Sequence, residues 1–257
     1  MKAFFLSSLV LATALATAAP AGAQPAGAIG PDEKGRIETI IHDYLLKNPE
    51  VLREAMVELD RREKAKEAEA REKITLDQKG PLYRSPYQME IGNPKGDVTL
   101  VEFFDYNCGY CKKALSDNIK LLEGDKNLRI VLKEFPVLGP GSVEASRVAM
   151  AARTLMKPDQ VLQFHTRLLG SRGPANKQKA LEVAKDVGLD PAALAKQMDS
   201  TEVSTGIKQS MTLADQLGLT GTPSFVIGGE VVVGAVGFDE LKEKIASVRK
   251  CGKATCS

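Results

Sequence analysis

The run VTLVEFFDYNCGYC, residues 98–111, decides how the chain is read. Residues 98–104 are mostly apolar and rich in β-formers, with Glu102 the only charge. That is the pattern of a strand buried on both faces. Cys108-Gly109-Tyr110-Cys111 follows, and residues 109–122 read as a helix. Cys108 therefore falls at a strand-to-helix junction. A thiol there meets the positive end of the helix dipole and free backbone N–H groups, which favour the thiolate. The thiolate is the form that attacks disulfides. Cys111 falls about one helical turn later, within reach to close a disulfide. Cys108 is read as the exposed attacking thiol and Cys111 as the shielded resolving one.

Glu102 interrupts this strand six positions before Cys108. Its neighbours and its same-face partners, Leu100 and Phe104, are apolar. A buried carboxylate is costly to ionise and holds its proton more tightly. Glu102 is therefore read as a proton acceptor for Cys111, against the plainer reading of an edge-strand residue facing solvent. Lys133, ending the next strand, is a candidate to pair with it.

Outward from this core, residues 89–91 read as a short strand and Gly92-Asn93-Pro94 as a turn. LRIVL at 128–132 is the next long strand. Strand, helix and strand in that order predict a parallel βαβ unit. Residues 142–218 are rich in helical stripes. Two short strands follow, 224–227 and 231–233, joined through Gly228-Gly229-Glu230, and a helix over 238–248 closes the pattern. The fold class is α/β, βαβ then ββα, with a helical insertion.

The N-terminal part is different. Residues 1–23 read as a secretory leader: Lys2, a short apolar stretch, then the small-residue site Ala21-Gly22-Ala23. Cleavage near Ala23 predicts export. After a loose Gly/Pro spacer, Ile37, Ile40, Ile41, Tyr44 and Leu45 form one helical stripe. Asn48-Pro49-Glu50 restarts the helix, with Asn48 as its cap. Val51, Leu52, Ala55, Met56 and Leu59 continue an apolar face. From 60 to 73, eleven of fourteen residues are charged and the rest are Ala. That segment has helix propensity and nothing to bury. It separates the stripes of 37–59 from the main core, so those stripes are expected to self-associate rather than fold back. The expected divisions are a leader at 1–23, a helical oligomerisation arm and charged linker at 24–80, and a main domain at 81–257.

Composition narrows the function. The chain has 257 residues and a formal charge of +2, so net charge gives no reason to expect nucleic-acid binding. Trp is absent, which argues against a base-stacking platform. Four cysteines are too sparse for a disulfide-built scaffold. A zinc site from Cys108, Cys111, Cys251 and Cys256 is the competing reading of the C-x-x-C pair. No histidine lies near either pair in sequence, and export favours redox chemistry. Cys251 and Cys256 read as a local disulfide pinning the C-terminus, with a second redox or metal-binding pair as the alternative.

With VEFFDYNCGYC, IVLKEFP (130–136) and Gly221-Thr222-Pro223 in place, the sequence resembles the DsbA-like branch of the thioredoxin superfamily over about residues 85–250. The resemblance implies a thioredoxin-like fold, with Cys108 as nucleophile and Cys111 as resolver. It implies Glu102 and Lys133 as a buried proton-handling pair. It places Thr222 and a cis-proline, Pro223, against the substrate backbone, with Gly109 and Tyr110 at the substrate surface. Powerful oxidases of this branch carry Pro-His between the cysteines; here Gly-Tyr stands, so no imidazole supports the thiolate. That dipeptide and the arm are similar to the suppressor-of-copper-sensitivity C type of periplasmic disulfide isomerase, some of which are trimers.

The leading expectation is therefore a periplasmic thiol-disulfide oxidoreductase acting mainly as an isomerase or reductase on misfolded proteins. It would work as a homo-oligomer, possibly a trimer, with a membrane reductase as partner and no cofactor. The alternatives are a DsbA-like dithiol oxidase, and a copper-tolerance protein holding Cu(I) through Cys108 and Cys111.

Overall fold

The computed structural model describes residues 30–256; the leader and its cleavage site at Ala23 lie outside the described residues. The chain divides into two compact units, one ending at Leu59 and one beginning at Asp60.

In the first unit, α1 (Pro31–Lys47) opens with Pro31 at its start, Asp32 and Glu33 in its first turn, and Lys47 in its last. All three placements suit the helix dipole and the missing proline N–H. Asn48 ends α1. Its side chain does not cap the next helix as expected: Nδ2 donates back to the Tyr44 carbonyl at 2.9 Å. The Val51 N–H instead bonds the Asn48 backbone carbonyl at 3.2 Å. α2 (Glu50–Leu76) follows. No residue of α1 is buried, and Ile40, Ile41, Tyr44, Leu52, Met56 and Leu59 are exposed.

In the second unit, the charged part of α2 carries exposed ion pairs such as Lys64–Asp60 and Lys73–Glu69. Exposed i,i+4 pairs of this kind are screened by water and add little to stability. The end of the helix is not linker. Ile74 packs on a core cluster, Thr75 is buried, and the Tyr83 hydroxyl donates to the Thr75 carbonyl at 2.7 Å. This packing places 74–83 with the main unit, whereas the sequence reading divided the chain at 80.

The sheet comprises β1 (Met89–Gly92), β2 (Val98–Phe104), β3 (Leu128–Glu134), β4 (Ser224–Ile227) and β5 (Glu230–Val233), in the order β1-β3-β2-β4-β5. β2 and β3 are parallel, joined through α3 (Gly109–Gly124); the other pairs are antiparallel. β3 runs two residues further than expected because Lys133 and Glu134 are both buried. Gly228 and Gly229, at φ 52° and 85°, close the β4–β5 hairpin. A two-residue turn of this kind needs positive φ at both positions.

Alternation sorts the central strands onto two faces. Leu100, Phe104, Ile130 and Leu132 share one core cluster with Cys108 and Cys111. Val101, Phe103, Val131 and Phe135 share the other with Leu82, Tyr83, Leu213 and Leu217. Burying each such aliphatic or aromatic side chain contributes about 1.5–3 kcal/mol. The helical insertion is α4 (Pro140–Arg153), α5 (Pro158–Leu169), α6 (Lys177–Asp186), α7 (Pro191–Met198) and α8 (Thr201–Gln216), and α9 (Phe238–Cys251) closes the fold. No helix among the described residues is long and apolar enough to cross a membrane.

Candidate functional site

β2 delivers the loop 105–108 to the start of α3. The Cys108 N–H bonds the Asp105 carbonyl at 3.0 Å, which turns the chain. Cys108 is the N-cap residue of α3, with extended backbone at φ −79° and ψ 117°. Both thiols are free. Cys108 retains 6% of its surface and Cys111 none. The expected asymmetry is present, but Cys108 is largely covered rather than openly exposed. Tyr110, by contrast, is 70% exposed. Nothing lies within 4 Å of where a side chain on Gly109 would begin.

Cys108 Sγ donates to the Thr222 carbonyl at 3.1 Å, across 114 positions of sequence. The Thr222–Pro223 bond is cis. β2 and β4 pair antiparallel beside it, which brings the start of β4 to the thiol.

Glu102 is fully buried on the Cys111 face of the sheet. Asn118 Nδ2 donates to its Oε2 at 2.6 Å, and Oε1 has no partner. Burial pushes the carboxyl up to about 7, with the Asn118 bond opposing. Burial likewise pushes the Cys111 thiol well up, and the Glu102 charge adds to this. The two groups therefore do not both ionise readily, which is the setting in which one proton passes between neighbours.

Lys133 does not join them. β2 and β3 pair Glu102 with Leu132 and Phe103 with Lys133, so Lys133 lies on the other face. Its Nζ donates to the Pro81 carbonyl and to Gln88 Oε1, each at 2.7 Å. Burial, and then the nearby Arg129 charge, hold it down to about 7. The Glu102–Lys133 pair expected from the sequence is not made.

Several residues that the sequence reading passed over belong to this region. Asp105 accepts from the Asn107 N–H at 2.8 Å, the Leu138 N–H at 2.9 Å and Ser142 Oγ at 2.7 Å. Glu134, also fully buried, takes a hydrogen bond from Ser146 Oγ at 2.5 Å and is pushed up to about 8 by burial. His165 lies against Phe104 and Tyr106, and burial holds it down to about 3, so it is a neutral core side chain. None of these carries a sequence signal, whereas Asn118, the donor to Glu102, does: it stands seven positions after Cys111, two helical turns on the same face.

Cys251 and Cys256 are joined in a disulfide, Cα to Cα 6.1 Å. It closes the tail after α9, where Ala254 is buried and Thr255 Oγ1 donates to Glu230 Oε2 at 3.2 Å. Among the described residues no group of three or more His, Cys, Asp or Glu side chains is placed to hold a metal ion. A cleft of about 980 Å³ in the helical insertion, lined by Leu181, Leu194 and Met198 among others, does not include the thiols.

Residues 99–246 match the DSBA-like thioredoxin domain, and residues 33–66 match the copper resistance protein ScsC N-terminal domain. The chain is similar to a solved thioredoxin-like oxidoreductase from Silicibacter pomeroyi DSS-3, with 44% identity, 66% of this chain, 96% of that chain and a TM-score of 0.62. It is similar to Proteus mirabilis ScsC in a transitional conformation, with 26% identity, 86% of this chain, 99% of that chain and a TM-score of 0.61. Among curated proteins it is 27% identical over 146 residues to the thiol:disulfide interchange protein DsbA of Bordetella parapertussis, covering 55% of this chain and 68% of that protein.

Proposed function

The chain belongs to the DSBA-like thioredoxin domain family and is a thiol-disulfide oxidoreductase; from that premise we propose that it acts mainly as a disulfide isomerase on misfolded exported proteins. The observation that carries this reading is the unequal pair: Cys108 keeps an accessible edge beside Thr222, while Cys111 is fully covered beside Glu102.

Cys108 thiolate attacks one sulfur of a substrate disulfide. A bond forms between Cys108 and that sulfur, and the other substrate sulfur leaves as a thiolate. Isomerisation follows when a substrate thiolate, directly or after exchange with a neighbouring substrate disulfide, attacks the substrate sulfur of the mixed disulfide; a new substrate disulfide forms and Cys108 leaves as its thiolate. Reduction follows when Cys111 loses its proton to Glu102 and attacks Cys108 Sγ. The Cys108–Cys111 disulfide then forms, the Cys108–substrate bond breaks, and the substrate sulfur leaves as a thiolate, so the substrate gains two electrons in all. Thr222 and Pro223 border the thiol where a substrate backbone would lie, and Gly109 leaves that approach open.

Isomerisation requires Cys108 to be kept reduced, so a membrane reductase is the partner this reading needs. The leader sequence at 1–23 supports a periplasmic location. The exposed apolar faces of 37–59, with the ScsC N-terminal match over 33–66, support a homo-oligomer built through the arm. That same match favours one further reading, Cu(I) held by Cys108 and Cys111. Equal Cu(I) binding by a Cys108→Ser, Cys111→Ser variant would remove it.

The test is reactivation of a scrambled, wrongly bonded substrate by the full-length mature protein with a trace of reductant. Efficient reactivation supports the isomerase. No reactivation, with rapid oxidation of a reduced substrate, makes the protein a dithiol oxidase.

A further inference from the structure

The residues immediately outside the two cysteines, Asn107 and Lys112, reach the same stretch of the helical insertion. Asn107 Oδ1 accepts from the Ala175 N–H at 2.7 Å, and its Nδ2 donates to the Ala175 carbonyl at 2.9 Å. The side-chain amide thus pairs with both polar groups of one backbone residue, as a strand partner would. Nδ2 also donates to Ser142 Oγ at 2.9 Å, and Ser142 Oγ donates on to Asp105 Oδ1 at 2.7 Å. On the other side of the motif, Lys112 Nζ donates to the Ser171 carbonyl at 2.8 Å. Residues 171–175, between α5 and α6, therefore hold the Cys-Gly-Tyr-Cys segment at both ends.

We propose that residues 171–175 of the insertion brace the active-site segment, and that Asn107 is the positioning residue that sets the reactivity of Cys108 through this brace. The inference rests on Cys108 being the nucleophile. Cys108 is the N-cap residue of α3, at the positive end of the helix dipole, with no side-chain bond to the N–H groups there, and its Sγ donates to the Thr222 carbonyl at 3.1 Å. A helix N-terminus attracts negative charge and a carbonyl oxygen repels it, so the position of the sulfur between them matters to its reactivity. A small displacement of residue 107 moves the sulfur along this gradient. Ala175 is 1% exposed, so without the Asn107 amide its N–H and carbonyl lose their partners and the loop must shift to recover them. The insertion is thereby part of the thiol's chemistry as well as a cover over the sheet. A movement of 171–175 on substrate binding would change Cys108 directly.

The experiment uses the reduced full-length protein. Iodoacetamide alkylation at fixed pH is mapped to each cysteine by mass spectrometry. The equilibrium constant for closing Cys108–Cys111 is measured in glutathione buffers. Asn107→Ala is expected to slow Cys108 alkylation and shift the equilibrium constant by at least about threefold. Ser142→Ala, which removes the hydroxyl between Asn107 and Asp105, moves both in the same direction and carries the test if Asn107→Ala does not fold. Asp190→Ala removes the cap of α7, whose Oδ2 accepts from the Ala193 N–H at 2.8 Å, and so weakens the insertion without touching the brace. It leaves both readouts unchanged. Readouts within about twofold of the parent protein in Asn107→Ala and Ser142→Ala overturn the inference, as does an equal shift in Asp190→Ala. If Cys108 is not the first thiol modified in the parent protein, the nucleophile assignment fails, and the inference with it.

Discussion

Glu102 and Lys133 lie on opposite faces of the sheet, although their strands are hydrogen-bonded neighbours. Register decides this. Glu102 stands opposite Leu132, so Lys133 is one residue out of step and points away, as every odd step along a strand must. The carboxyl is left with Asn118 and Cys111, and the ammonium with Pro81 and Gln88.

Lys133→Met should therefore leave release of a mixed disulfide by Cys111 unchanged, as measured by quenched-flow thiol trapping. It should alter stability. Lys133 titrates near 7 in the fold and at 10.5 ordinarily. Between those values the unfolded chain holds the proton and the folded chain does not, so this group makes stability rise with pH. Urea titrations from pH 7 to 10 should show a flatter rise in the variant.

Glu102→Gln should slow the attack of Cys111 on the mixed disulfide by about a hundredfold, the size of a lost proton acceptor. The same variant should be more stable than the parent above neutral pH. Glu102 titrates at about 7 folded against 4.5 ordinarily. Across that window the folded chain holds a proton that the unfolded chain has released, so stability falls as pH rises, by about 3 kcal/mol in all. Urea titrations at pH 5 and pH 8 measure the difference. An equal pH slope in parent and variant would show that Glu102 is not the group titrating.

Cys111→Ser should trap substrate proteins on Cys108 as mixed disulfides, visible on non-reducing gels. Cys108→Ser should trap none, because the fully covered Cys111 cannot reach a protein disulfide.

Removing residues 24–59 should leave a folded, redox-active protein, with light scattering reporting a monomer where the longer chain reports an oligomer. Extending the deletion to residue 80 should cost about 2–4 kcal/mol of stability, because Ile74 leaves the core and the Tyr83 hydroxyl loses the Thr75 carbonyl.

Much of the fold was legible because its signals are local. β2 was read at its observed bounds because a long apolar run of β-formers has few other uses. The β4–β5 turn was legible because two adjacent glycines suit positive φ. The sequence pattern ends β3 two residues short because Lys133 and Glu134 look like the polar end of a strand; their burial depends on partners at Pro81, Gln88 and Ser146. Asp105 and Asn107 carry no sequence signal for the same reason. A short polar side chain beside a cysteine carries no pattern until Leu138, Ser142 and Ala175 are brought to it.

By itself the amino-acid order determined the family, the cysteine pair at a strand-to-helix junction, the buried acid behind it and the separate character of the first sixty residues. Each is written in neighbours along the chain, through periodicity, capping or an unbroken apolar run. Tertiary structure alone decided which face Lys133 takes, what Glu102 and Asn107 bond, and that the Thr222 carbonyl meets Cys108. These depend on strand register and on loops closing over tens of residues, where one step of register reverses the direction of a side chain.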